Sequence, residues 1–161
     1  MKARRASGRI EGSNGGATSR VSALVVTAAL AAALGGCGGP PPTPEVPGSF
    51  PQVALLTLDS DSGGLHLELR SAPEPPVQGQ NVGQITVTDS SGQPVEGLTL
   101  TVLPWMPAHG HGTSAPVGVT DNGGGVFIAN PLYLFMAGEW QLRMTFAGSM
   151  NDTAMATVQI P

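Results

Sequence analysis

Apolar and polar residues alternate one by one along much of the chain beyond position 53, and this period of two predicts β-strands. The alternating segments are centred on Leu67, Ile85, Leu100, Phe127, Leu142 and Ala156. Turn sequences rich in Gly, Asp and Ser separate them at residues 59–64, 89–94, 121–125 and 147–152. About seven short strands joined by polar turns predict an all-β, immunoglobulin-like β-sandwich.

The same alternation predicts which side chains face the core. The positions expected to be buried are Leu67, Ile85, Val87, Leu100, Trp140, Leu142 and Phe146. No helix of more than about three turns is expected between positions 53 and 160. Residues 53–161 are numerous enough to form one sandwich core.

The N-terminal residues have a different pattern, typical of an export signal. Five basic residues in the first twenty positions precede an apolar run, Val21–Leu34, which is too short to cross a bilayer comfortably. The run leads into Leu34-Gly35-Gly36-Cys37, which resembles a bacterial lipobox and contains the single cysteine of the chain. We therefore expect a lipoprotein signal peptide over 1–36 and lipidation of Cys37; an uncleaved anchor with an incidental cysteine is the alternative.

Residues 37–52 are rich in proline and glycine and predict a flexible, lipid-anchored linker before the domain. The expected location is the cell envelope, with the domain on the periplasmic or extracellular side of a membrane. Gly38 is not the aspartate associated with inner-membrane retention, so the outer membrane is favoured where two membranes exist.

Charge and motifs exclude several functions. Beyond Cys37 there are ten acidic and two basic residues, a net charge near −8, and such a surface repels nucleic acid. The chain has no phosphate-binding glycine loop, nucleophile elbow or zinc-protease motif, so an enzyme is not expected. Asp59 and Asp61 lack the ligand spacing of a calcium loop and indicate a polar turn.

One stretch carries candidate metal ligands, and it reads Pro104-Trp105-Met106-Pro107-Ala108-His109-Gly110-His111-Gly112. In an extended backbone His109 and His111 face the same way and could converge on one atom. Imidazoles with a thioether suit copper: sulfur favours Cu(I), whereas imidazole favours Cu(II) and also Zn(II). Met136 is a further candidate donor. Structural roles stay open, because Met106 and Met136 could pack in the core and both histidines could be solvated.

These residues also resemble the YtkA-like family of bacterial envelope proteins, whose fold is related to FixH-like and CopC-like sandwiches. The resemblance runs from about Pro76 to Phe146. Its specific parts are the methionine–histidine tract above and Phe135-Met136-Ala137-Gly138-Glu139-Trp140. It implies an envelope β-sandwich and, less directly, metal handling; family members often carry a second methionine where this chain has His109.

Together these observations predict a non-enzymatic, lipid-anchored domain that binds a transition metal, most plausibly copper. The candidate ligands are Met106, His109, His111 and Met136. Partners would be the membrane, through Cys37, and an envelope protein. The competing hypothesis is a metal-free interaction module of the same fold.

Overall fold

The computed structural model describes residues 45–161, which form nine β-strands and no helix. The strands are β1 (Leu56–Asp59), β2 (His66–Ala72), β3 (Gly79–Thr88), β4 (Leu98–Met106), β5 (His111–Gly112), β6 (Val119–Asp121), β7 (Val126–Leu134), β8 (Gly138–Gly148) and β9 (Asp152–Ile160). The predicted signal peptide, 1–36, and Cys37 lie outside the described residues.

The strands form two antiparallel sheets packed face to face. One has the order β1-β2-β3-β7-β6 and the other the order β5-β4-β8-β9. The chain changes sheet between β3 and β4, between β5 and β6, and between β7 and β8. This arrangement confirms the predicted all-β sandwich. It has nine strands where about seven were expected, and two of the nine, β5 and β6, are only two and three residues long.

The core lies between the sheets and is built from every second residue of the long strands. In β4 and β9 buried and exposed positions alternate almost without interruption. All seven side chains expected in the core are at most 6% exposed. Trp140, Phe127 and Phe146 are the largest of the fully buried side chains.

Two strand boundaries differ from the sequence pattern. Gly79–Asn81 begin β3 although they resemble a turn, because they pair with the end of β7. Asn81 is 1% exposed, and its side-chain amide is bonded to the backbone N–H and carbonyl of Val77, which makes its burial acceptable. Ala147 and Gly148 likewise extend β8 into the predicted turn.

The end of the predicted linker contacts the domain through Arg70. The Arg70 guanidinium donates hydrogen bonds to the carbonyls of Pro51 and Gln52 and pairs with Glu68. Leu55 N then donates to Leu69 O, which begins the pairing of β1 with β2. The chain therefore enters the domain at the end of the sandwich where β2 finishes.

At the opposite end, the turn between β1 and β2 is joined to β9 by hydrogen bonds. The backbone N–H of Asp61 donates to Thr153 O, and the Ser62 hydroxyl donates to the carboxylate of Asp152. Hydrogen bonds from the Ser60 and Ser62 hydroxyls lower the pKa of Asp152 from 3.8 to about 2. The carboxylate thus connects an edge strand of one sheet to an edge strand of the other.

This lowered pKa predicts a loss of stability in acid. The folded state holds Asp152 ionised more strongly than the unfolded state, so its contribution is complete above about pH 4 and is lost as pH falls towards 2. Denaturant unfolding at a series of pH values should show this slope, and Asp152→Asn should reduce it. Part of the slope should persist in the variant, because hydrogen bonds from Ser91 and Gln93 also lower the pKa of Asp89. A variant with the same slope as the parent would show that Asp152 does not contribute to the loss of stability in acid.

Candidate metal-binding site

The histidine loop is the turn of a short hairpin that joins β4 to β5. Met106 pairs with His111, and the amides of His109 and Gly110 both donate to Met106 O, at 3.2 and 3.0 Å. Gly110 has a φ of +67°, a conformation that glycine adopts without steric cost. The hairpin closes tightly and brings the two imidazoles to the same tip.

His109 and His111 are exposed, and their ring centroids lie 5.7 Å apart with the ring planes at 53°. A metal–nitrogen bond of about 2.0 Å places an imidazole centroid about 3.2 Å from the ion, so two imidazoles on one ion have centroids about 5 to 6.5 Å apart. The observed separation falls in this range. The distance between the two rings is therefore compatible with imidazoles that share one ion.

A backbone hydrogen bond determines which nitrogen of His111 is available. Its Nδ1 lies 3.1 Å from the carbonyl oxygen of Gly112, which can only accept. The neutral ring therefore carries its proton on Nδ1 and leaves the lone pair of Nε2 free. Metal-binding histidines are commonly oriented in this way, by a hydrogen bond from the nitrogen that does not bind the metal.

Met106, the last residue of β4, lies in the core. Its side chain is 3% exposed, and as the cross-strand partner of His111 it projects on the same face of the sheet. A Cβ placed on Gly138 would lie 2.9 Å from Met106 Cε, so glycine at 138 leaves the space that this methyl group fills. Met106 thus packs in the core, and its role as a ligand stays a prediction.

Met136 lies in the link between β7 and β8, two residues before Gly138, and is partly buried against the core. Its carbonyl accepts a 2.9 Å hydrogen bond from Trp140 Nε1. The four predicted ligands therefore lie at one end of the sandwich, where both imidazoles are exposed, Met106 is buried and Met136 is partly buried. Sequence reasoning did not predict the contact between Gly138 and Met106. The only indication of it in the sequence is the glycine that follows Met136 and Ala137.

Other titratable groups do not gather around the loop. Within residues 45–161 there is no group of three or more His, Cys, Asp or Glu side chains that could hold a metal ion. His66 lies at the far end, where β2 begins, and its Nδ1 is 2.9 Å from Asp59 Oδ1. In this part of the chain, the further side-chain donors that the sequence predicts for the site are therefore the two thioethers.

The face beside the loop carries a shielded aromatic ring. Trp105 is half-buried; the Arg143 guanidinium lies 4.7 Å from its ring centroid, and a Cβ on Gly112 would lie 3.6 Å from its ring. Arg143 is also held by Gln141 through two hydrogen bonds. Trp105 therefore packs against Arg143 and Gly112 at the base of the hairpin.

The two sheets and the methionine–histidine hairpin define a small all-β domain. Residues 45–161 contain no helix that could cross a membrane. The sequence matches the YtkA-like family over residues 59–145, more than half of the chain. The chain belongs to the YtkA-like family, as the sequence resemblance predicted.

Comparisons with solved structures and with curated proteins add no further family. The chain is similar to the crystal structure of a DUF4426 family protein from Pseudomonas aeruginosa PAO1, with a TM-score of 0.44 and 14% identity over 61% of this chain and 91% of that one. No curated protein matches the sequence.

Proposed function

We propose that this protein is a lipid-anchored domain of the cell envelope that binds one transition-metal ion, most plausibly copper, at the β4–β5 hairpin. The observation that carries the proposal is the His109–His111 pair, with centroids 5.7 Å apart and with Nε2 of His111 left free. Two imidazoles at an exposed tip suit Cu(II) or Zn(II), and the thioethers of Met106 and Met136 at the same end of the sandwich would suit Cu(I).

An ion held by two imidazoles keeps open coordination positions. Such a site suits exchange with a partner better than permanent storage, because an incoming donor can bind before the first ligands leave. The non-enzymatic role fits this picture, since the proposal requires binding and release alone.

Calorimetric titration of the mature protein with Cu(II) tests the proposal. We expect one saturable site at neutral pH, and at least about tenfold weaker binding, or about 1.4 kcal/mol, when His109 and His111 are both replaced by alanine. Binding should also weaken in acid, because a protonated imidazole cannot bind a metal. His66→Ala is the matched control and should leave binding unchanged. An absence of saturable uptake, or a double variant that binds like the parent, would exclude the metal site.

A separate variant examines the thioethers. Met106→Leu preserves an apolar side chain of similar volume, so the fold should be retained. We expect it to lower the affinity for Cu(I) while leaving Cu(II) binding to the imidazoles nearly unchanged.

Anchoring rests on the sequence around Cys37 and has its own test. We expect Cys37→Ala to release the protein from the membrane fraction or to leave its signal peptide unprocessed. Normal processing with unchanged membrane association would remove the lipid anchor from the proposal.

The second candidate function is a metal-free interaction module. It is favoured by one observation: Phe135 is 55% exposed and stacks on Tyr133, with ring centroids 5.0 Å apart, in the chain leading to Met136. Exposed stacked aromatics are typical of protein contacts. This candidate takes over if copper titration shows no site.

A further inference from the structure

Strand β4 has a free edge along most of its length. On the side away from β8 it pairs with β5 only at Trp105 and Met106. From Leu98 to Pro104 no strand in the described part of the chain pairs with it on that side. The nearest strand beyond this edge, β6, belongs to the other sheet.

The direction of the backbone groups at this edge follows from the hairpin. The carbonyl of Pro104 points towards β5, since a Cβ on Gly112 would lie 2.5 Å from its oxygen. Backbone groups alternate in direction along a strand, so Leu100 and Val102 present their N–H and C=O groups to the same open side. Among residues 45–161, no backbone hydrogen bond from a turn or loop reaches these groups.

Two surface clefts lie one after the other beside this edge, and together they are called the groove. The first lies between residues 98–100 of β4 and Val119 and Asp121 of β6; the second lies between residues 101–104 of β4 and residues 113–117. Leu103 is 47% exposed in the groove, and Val117 and Val119 are partly buried against the core. An extended backbone in the groove would therefore meet hydrogen-bonding groups along β4 and apolar side chains opposite.

The edge also lacks the usual protection against strand addition. Natural edge strands are commonly blocked by charged side chains, by proline or by a bulge, and Leu98–Leu103 has none of these. The sequence of β4 is uncharged throughout, and its one proline, Pro104, lies near the β5 end. Strand β9, at the opposite edge of this sheet, is occupied at its beginning, where the carbonyl of Thr153 accepts a hydrogen bond from the Asp61 N–H.

Charge indicates the kind of segment that fits. Asp121 lines the groove and Glu96 lies just before β4, so the end where β4 begins is acidic. A second copy of a domain with a net charge near −8 would be repelled. The linker of this chain is a poor donor strand because its prolines lack N–H groups.

We propose that the free edge of β4 binds an extended segment of another protein by strand addition. The segment carries a lysine or arginine next to Asp121 and apolar side chains that face the groove. Main-chain hydrogen bonds to Leu100 and Val102 supply affinity, and the groove selects alternate side chains. This proposal is independent of metal binding.

The test uses the mature protein and a short synthetic peptide of alternating valine and threonine with one terminal lysine. We expect amide hydrogen exchange at Leu100 and Val102, followed by NMR, to slow at least about tenfold when the peptide is bound. The same peptide N-methylated at alternate amides should give no protection. Equal effects of the two peptides, or protection confined to β9, would overturn the proposal.

Variants add an independent readout. Leu103→Glu should weaken peptide binding at least about tenfold, whereas Met155→Glu should not, because Met155 has a similar exposure of 50% but lies on β9. Asp121→Lys should shift the preference from the lysine peptide to one with glutamate in its place. A concentration-dependent dimer in sedimentation experiments, with Leu100 and Val102 protected without peptide, would assign the edge to a second copy and contradict the proposal.

Discussion

Replacement of Trp140 by alanine is expected to lower the free energy of unfolding by about 3 to 5 kcal/mol. Trp140 is 1% exposed and is the largest fully buried side chain, so alanine would leave a cavity between the sheets. The variant also removes the donor to the carbonyl of Met136. Denaturant titration monitored by circular dichroism would measure the change.

Trp140→Phe separates packing from the hydrogen bond. Phenylalanine retains most of the apolar volume but has no side-chain N–H. It should therefore lower the free energy of unfolding less than alanine does, although the Met136 carbonyl still loses its hydrogen bond. If the alanine variant lost less than about 1 kcal/mol, Trp140 would not be the centre of the core at this end.

Gly125→Ala is the second substitution with a large expected effect, about 3 kcal/mol. A Cβ at this position would lie 2.3 Å from the carbonyl oxygen of Val87 and 3.3 Å from the amide nitrogen of Val95. Those two backbone groups are bonded to each other, and Val87 N also donates to Gly125 O. The clash is therefore with fixed backbone at a junction of three segments.

Gly124→Ala provides the matched control for this prediction. Gly124 and Gly125 have similar positive φ angles, +62° and +71°, so alanine at either position meets a similar backbone penalty. A Cβ on Gly124 would meet no atom within 4 Å. The difference between the two variants in thermal or denaturant unfolding measures the clash alone, and equal losses would show that backbone strain accounts for both.

The long strands could be predicted from the sequence because their burial alternates. In β8, Trp140, Leu142, Met144 and Phe146 face the core, and the sequence pattern alone indicates this. The two-residue strand β5 could not be predicted in this way, since His111 and Gly112 are too few to show a period. The position of Gly79 at the start of β3 depends on its pairing with Leu134, a partner distant in sequence.

The candidate site was predictable only in part, for a similar reason. The sequence placed His109 and His111 together by assuming an extended backbone, and that assumption was wrong. The two rings are close because His109 lies in the tight turn before β5, where Gly110 has a positive φ. The depth of Met106 depends on Gly138, which approaches from a different strand. Sequence periodicity carries no information about such a contact between strands.

The entry of the chain beside Arg70 affects how the domain faces a membrane. Arg70 fixes Pro51 and Gln52 at the end of the sandwich where β2 finishes, and the same end carries the turn of the β4–β5 hairpin. A lipid on Cys37 would hold that end within reach of the bilayer, at a height limited to about 3.5 Å for each linker residue. Under the proposed anchoring, the imidazole pair would lie at the end of the domain at which the linker enters.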